Sequence, residues 1–172
     1  NAFDDRQANY APDGKKIASG GLEPDIHLWD AETGKLIHKI NGPGTYVTSL
    51  AFSRDGKTIV AGHSGKAGGT SGYVTLSDVA SGERKRTIQD FRLLVQSVAF
   101  NSKGDTLAVG VGDGAVRLYE YPKCIDSPDQ PEYWAQTDNT GQTHHVSFST
   151  DDNSLIRCGG DGIKIYAVAR PN

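Results

Sequence analysis

The chain has 172 residues, of which 36% are apolar and 23% charged, with a formal charge of −3 and a pI of about 5.9. That length and apolar fraction suffice for one globular domain with its own core, and the mildly acidic balance leaves no electrostatic footprint for nucleic acid or anionic lipid. No apolar run approaches the ~18 residues that span a bilayer, so neither a nucleic-acid nor a membrane partner is expected, and no charged-then-apolar leader opens the chain, although a removed leader stays open.

Asn1 to Asp4 is a lead-in. Asp5 to Tyr10 reads as a rather polar first strand, Lys16 to Gly20 as a second, Asp25 to Trp29 as a third and Lys35 to Ile40 as an alternating fourth. Asn41-Gly42-Pro43-Gly44 ends the pairing, and Tyr46 to Phe52 opens a second unit. From Ala61 to Gly72 that unit is rich in glycine and longer than the matching turn elsewhere. Gly65-Lys66 lacks the following Ser or Thr, the upstream glycine and the helix of a phosphate loop, so a surface loop is the expectation. Glu83 to Ile88 is an outer strand on which Arg84, Lys85 and Arg86 discourage pairing with stray chains.

The third unit is the clearest: Leu94 to Phe100, Thr106 to Gly110 and Ala115 to Glu120 form an antiparallel meander with small polar turns. A long connection from Tyr121 to Asp138, containing Pro122, Pro128 and Pro131, precedes an outer strand around Tyr133-Trp134-Ala135. The fourth unit starts at Thr143 and ends at Tyr166 or Ala167, with no room for a fourth strand. His144 and His145 are adjacent on a strand and are expected on opposite faces, unable to chelate one metal together. Cys124, placed in a loop, and Cys158, placed in a strand, make no CxxC pair and read as free thiols, which favours a reducing compartment such as the cytoplasm.

These units repeat in register. The turns that begin at Tyr10, Phe52, Phe100 and Phe148 lie 42, 48 and 48 residues apart. Second strands align as Ile17 to Gly20, Ile59 to Gly62, Leu107 to Gly110 and Leu155 to Cys158, and third strands as Ile26 to Asp30, Val74 to Asp78, Val116 to Glu120 and Ile163 to Ala167. A supersecondary unit that recurs at such spacing stacks against its own copies.

On these residues the chain resembles the WD40-repeat β-propellers over nearly its whole length. Trp29-Asp30 stands where that family's dipeptide ends the third strand, while the other copies carry Ser77-Asp78, Tyr119-Glu120 and Tyr166-Ala167. The family's Gly-His dipeptide is replaced by Gly42-Pro43, Asp90-Phe91 and Asp138-Asn139, and its turn aspartate survives as Asp113 and Asp161, so the buried hydrogen-bond network these groups build is expected to be incomplete. The resemblance implies an all-β fold, a WD40-type propeller with four four-stranded antiparallel blades, the last lacking its outer strand. The blades are residues 5–40, 46–88, 94–138 and 143–172. Rings of this family usually close with seven blades, so four imply an open arc or part of a larger ring. Each end blade would then expose an apolar face of several hundred Å², about the largest patch a monomer carries. The rest of a longer chain, a second copy or another subunit would have to cover it; a closed four-bladed ring lacks a closing strand.

The resemblance further implies a non-catalytic scaffold that presents loop surfaces to protein partners. One rim collects the turns between blades and between second and third strands, and the residues placed there as protein-binding are Glu23, Asp25, Tyr46, His63, Lys66, Phe91, Arg92 and Asp113; Leu22, Pro24, Pro43 and Thr45 share those turns. Tyr, Phe and Arg are favoured interface anchors, though Phe91 could equally pack between blades. No catalytic triad, paired-carboxylate motif or metal-ligand spacing is present, the inner strands are read as mostly apolar, and neither a cofactor nor a metal is expected. The alternative is a sensor or regulatory portion of a larger multidomain enzyme or electron-transfer protein.

Overall fold

The computed structural model describes residues 5–65, 71–126, 134–136 and 141–168. Four antiparallel sheets follow one another along the chain. Blade 1 is β1 (Asp5–Tyr10), β2 (Lys16–Gly21), β3 (Ile26–Asp30) and β4 (Leu36–Ile40); blade 2 is β5 (Val47–Phe52), β6 (Thr58–Ser64), β7 (Gly72–Asp78) and β8 (Arg84–Phe91). Blade 3 comprises β9 (Val95–Phe100), β10 (Thr106–Val111), β11 (Val116–Glu120) and, after the short helix α1 (Lys123–Asp126), β12 (Trp134–Gln136). Blade 4 has three strands, β13 (Thr143–Phe148), β14 (Ser154–Gly159) and β15 (Gly162–Ala167). No described helix is long and apolar enough to cross a membrane.

Three local readings need correction. The glycine-rich stretch begins later than expected, because β6 continues through Ala61 to Ser64 and pairs Ser64 with Gly72. Strand β8 likewise runs on to Phe91. Cys124 lies in α1, with its side chain buried beneath blade 3.

Short hydrogen-bonded turns join the strands. Asp30 Oδ1 accepts from Thr33 N and Oγ1, and Asp78 Oδ1 from Ala80 N, Ser81 N and Ser81 Oγ, so each carboxylate closes a hairpin around Gly34 or Gly82. Those bonds, from Thr33 in the first case and Ser81 in the second, hold both carboxyl groups below the usual aspartate range.

The blades pack face to face through apolar layers. Ala18, Ile26, Leu28 and Ile40 of blade 1 meet Val47, Leu50, Ile59 and Ala61 of blade 2. Val60, Val74, Leu76 and Phe91 then meet Val95, Val98, Leu107 and Val109, and Ala108, Val116 and Leu118 meet Val146 and Leu155. Each buried Leu, Ile or Val contributes about 1.5–3 kcal/mol. A glycine near the end of the second strand in blades 1 to 3 makes this approach possible: a Cβ on Gly20, Gly62 or Gly110 would lie within 2.7–2.9 Å of side chains of the next blade's first strand. At the fourth such position stands Cys158.

Position by position, the repeat shows which face is bare. Ile26, Leu28, Val74, Leu76, Val116 and Leu118 are 0% exposed, whereas their blade 4 counterparts Ile163 and Ile165 are 71% and 68% exposed. These two side chains occupy the positions that cover a following blade everywhere else. The opposite end differs from the expected apolar face. Tyr10 is exposed there, but Asp5, Ser19 and His27 also lie on that side of blade 1 and form a polar cluster of their own.

The turns between first and second strands form the other rim, and there each blade holds its neighbour. Asp152 takes the place of Gly14, Gly56 and Gly104, keeps their positive φ at 60° and is buried. Its carboxylate accepts from Ser102 N at 2.7 Å, Ser102 Oγ at 2.8 Å, Lys103 N at 3.2 Å and Asn101 Nδ2 at 3.3 Å, clasping the blade 3 turn. Asp152→Gly removes the backbone strain but loses these charge-assisted bonds, and is expected to cost about 1–2 kcal/mol. Asp152→Ala keeps the strain as well and should cost about 1 kcal/mol more. Urea unfolding of both variants measures the order; an alanine variant as stable as the wild type would overturn it.

Candidate protein-binding rim

The rim opposite those turns includes the starts of the inner strands β1, β5, β9 and β13, the β2–β3 and β10–β11 turns, and the links β4–β5 and β8–β9. Each inner strand carries a one-residue irregularity near its start, at Arg6, Thr48, Gln96 and His144. A bulge turns two successive side chains off strict alternation. For that reason His144 and His145, expected on opposite faces, are both exposed and line one cleft along the inner strands. The cleft corrects a second expectation, since it is bordered mostly by polar groups, among them Gln7, Asn9, Thr48, Ser49, Gln96, Ser97 and Ser147, rather than apolar ones. Several of these stitch neighbouring blades: Ser49 Oγ accepts from Val98 N at 3.1 Å and Ser97 Oγ from Val146 N at 3.2 Å. Among the described residues no three or more His, Cys, Asp or Glu side chains are grouped to hold a metal.

The residues singled out in the sequence fall into three groups. Tyr46 and Arg92 are exposed on the links β4–β5 and β8–β9. Glu23 and Asp25, on the β2–β3 turn, both reach toward Lys39 Nζ, at 3.9 and 2.9 Å. The hydrogen bond with Asp25 raises the Lys39 pKa above its ordinary value. Asp113 is half-buried and accepts from Ala115 N at 3.0 Å, shaping the turn at Gly114. Lys66 lies outside the described residues.

Phe91 and His63 are corrections. Phe91 is 2% exposed, packed in the layer between blades 2 and 3 with the Arg117 guanidinium 5.0 Å from its ring centroid, so it anchors the core and offers no contact surface. His63 is fully buried, with Nε2 2.8 Å from Thr75 Oγ1. Burial, aided by the charge of Arg84, lowers its pKa to about 4. The imidazole is therefore neutral in the fold, while in the unfolded chain it gains a proton as pH falls through about 6.5. Its contribution to stability is complete above pH 6.5 and is lost progressively between about pH 6.5 and 4, by ~3 kcal/mol. His63→Gln should flatten the stability–pH curve over that interval, as urea midpoints at several pH values would show; an unchanged slope would refute the assignment.

In the end blades polar groups gather around residues that the repeat keeps, Trp29 in blade 1 and Asp161 in blade 4. In blade 1, Trp29 Nε1 donates to Ser19 Oγ at 2.7 Å, Ser19 Oγ donates to Asp5 Oδ2, and His27 Nδ1 stands 3.4 Å from Asp5 Oδ1. In blade 4 the fully buried Arg157 donates from Nε to Thr143 Oγ1 at 2.9 Å, from Nη2 to the Gly141 carbonyl at 2.7 Å and from Nη1 to Asp161 Oδ1 at 3.0 Å. Lys164 Nζ adds a second cation 2.7 Å from Asp161 Oδ2. Sequence reading missed Arg157, although an arginine at a position filled by Ala61 and Val109 in two other copies was the available signal.

Face-packed meanders of this kind, with polar inner strands along a cleft and their turns gathered on two rims, define a segment of a β-propeller. A model of the WD40 family, described as WD domain, G-beta repeat, matches residues 34–68 and 82–120. Among curated proteins the chain is similar to a WD repeat-containing protein 91 homolog of Dictyostelium discoideum, 28% identical over 88% of this chain and 19% of that protein. It is 30% identical to the WD repeat-containing protein SL1-17 of Schistosoma mansoni, over 90% of this chain and 48% of the relative. To the small ribosomal subunit protein RACK1y of Oryza sativa subsp. japonica it is 30% identical over 64% of this chain and 32% of the relative. The chain belongs to the WD40-repeat propellers, and it spans between a fifth and a half of the length of these relatives.

Proposed function

We propose that the chain is a non-catalytic protein-interaction scaffold that binds partners through the rim bearing Tyr46 and Arg92. The observation that carries this reading is the contrast between body and rim. The side chains between blades are sealed in three apolar layers, while Tyr46 and Arg92 are held in the open on links anchored at both ends by strands. A rigid body with aromatic and arginine side chains on its loops suits the capture of other proteins. Glu23, Asp25 and Asp113 contribute polar rim groups around these two; Lys66 is retained as a candidate from the sequence alone.

The bare Ile163–Ile165 face is covered in the functional molecule by a neighbour, for which the rest of a longer chain, a second copy and another subunit are the candidates. The partial coverage of the relatives supports the first. Affinity capture compares the wild type with a Tyr46→Ala, Arg92→Ala double variant. Captured proteins should be lost by the variant with its thermal midpoint unchanged. Undiminished capture would overturn the rim assignment, and a fallen midpoint would make these residues structural.

A further inference from the structure

The three joints inside the chain share one steric rule. Gly20 faces Val47, Gly62 faces Val95 and Gly110 faces Thr143, each facing residue being the first of the next blade's inner strand. A Cβ on any of these glycines would come within 2.7–2.9 Å of the facing side chain. Valine and threonine branch at Cβ and are held to few rotamers, so they yield little. One member of each pair therefore lacks a side chain.

The far side of blade 4 offers the same surface to a fourth joint. Ile156, Ile163 and Ile165 hold the register positions of Ala18, Ile26 and Leu28 in blade 1. Here, however, the glycine is gone. Cys158 pairs with His145 across β13 and β14 as Gly62 pairs with Ser49 and Gly110 with Ser97. Both strands are bulkier than at the other joints, with a thiol for a hydrogen and an imidazole for a hydroxyl. A following strand that began with valine or threonine would collide with Cys158, so the missing side chain has to be on the other side.

We infer that blade 4 receives the inner strand of a further propeller blade that carries glycine where β5, β9 and β13 carry Val47, Val95 and Thr143. This rests on the reading above that a neighbour covers the Ile163–Ile165 face, and it specifies that neighbour. A second copy of the chain would bring its own β1, in which the matching residue is Asp5, its carboxylate held by Ser19 and beside His27. That side chain clears Cys158 no better than valine does. Three joints of one kind continue into a fourth, and the chain spans 19% and 48% of two relatives, so the occupant is a further blade of the same polypeptide.

The test extends the full chain with a blade of known sequence. A copy of residues 32–91 is joined after Val168, whose N–H bonds the Asn153 carbonyl as Ala31 N–H bonds that of Lys15. The copied β4 then follows β15, and the copied β5 to β8 follow as a fifth blade. Seating is read as the rate at which thermolysin removes the added segment. With Val47→Gly in the copy alone, removal should be at least tenfold slower than with the copied valine. With Cys158→Gly the preference should reverse, because glycine is needed on only one side and weakens a strand.

Equal rates for the two copies while Cys158 is present, or faster loss of the glycine copy, overturn the inference. So does a preference for glycine that persists after Cys158→Gly, or rapid loss of both copies in both backgrounds. The scaffold reading fails separately, since it falls only if the unextended chain keeps its captured proteins after Tyr46→Ala with Arg92→Ala.

Discussion

Arg157→Ala is expected to cost 3 kcal/mol or more, the range seen when one member of a buried ion pair is removed (about 3–5 kcal/mol). The guanidinium is fully buried and spans three groups, the Thr143 hydroxyl, the Gly141 carbonyl and the Asp161 carboxylate. Truncation leaves a cavity against blade 3 and strands the carbonyl without its donor. Lys164 keeps Asp161 neutralised, which places the loss on packing and on Gly141 more than on an orphaned charge. An Arg157→Met variant should therefore recover part of the loss, and Asp161→Ala added to it should cost less than the two single changes summed. Urea midpoints measure this; a loss under about 1 kcal/mol for alanine would show that the network contributes little.

The second large effect is a contrast between two equivalent pairs of residues. Val116→Lys with Leu118→Lys places two ammonium groups in a sealed layer and is expected to unfold blades 3 and 4, at a cost above about 5 kcal/mol. Ile163→Lys with Ile165→Lys changes the same repeat positions one blade later, where both side chains are about 70% exposed. It should shift the midpoint by less than about 1 kcal/mol. If a second copy covers that face, sedimentation will show a smaller species for the lysine pair than for the wild type. Were Ile163→Lys with Ile165→Lys to unfold the chain like its blade 3 equivalent, the face would be one that the chain itself covers.

Strand order and blade pairing were legible in the sequence because each rests on local periodicity and repeated turns. Ile26, Leu28 and their counterparts recur in one register, and that register sets which face they cover. What escaped detection depends on single residues that break the repeat. A one-residue bulge carries no periodic signal, so His144 and His145 were assigned by strict alternation and both turned out to face the cleft. The same irregularity at Thr48 and Gln96 accompanies the polar cleft lining that was read as apolar. Their place in the turns expected on the rim marked Phe91 and His63 as contacts, whereas the extension of β8 to Phe91 and β6 to Ser64 places them on paired strands whose side chains pack inward. Asp152 looked like one more polar turn residue, because its clasp on Ser102 and Lys103 joins residues about fifty positions apart.

Where three blades carry a glycine near the end of the second strand so that the next can nestle against it, the fourth presents the Cys158 sulfhydryl. That thiol is half-buried, and Cys124 is buried with its pKa pushed up to about 11. The chain thus contains a built-in chemical reporter at the joint beyond blade 4. Alkylation by a maleimide should modify Cys158 while that joint is open and slow sharply once a neighbour is seated, with Cys124 silent throughout. A time course read by mass spectrometry would follow assembly without any engineered label.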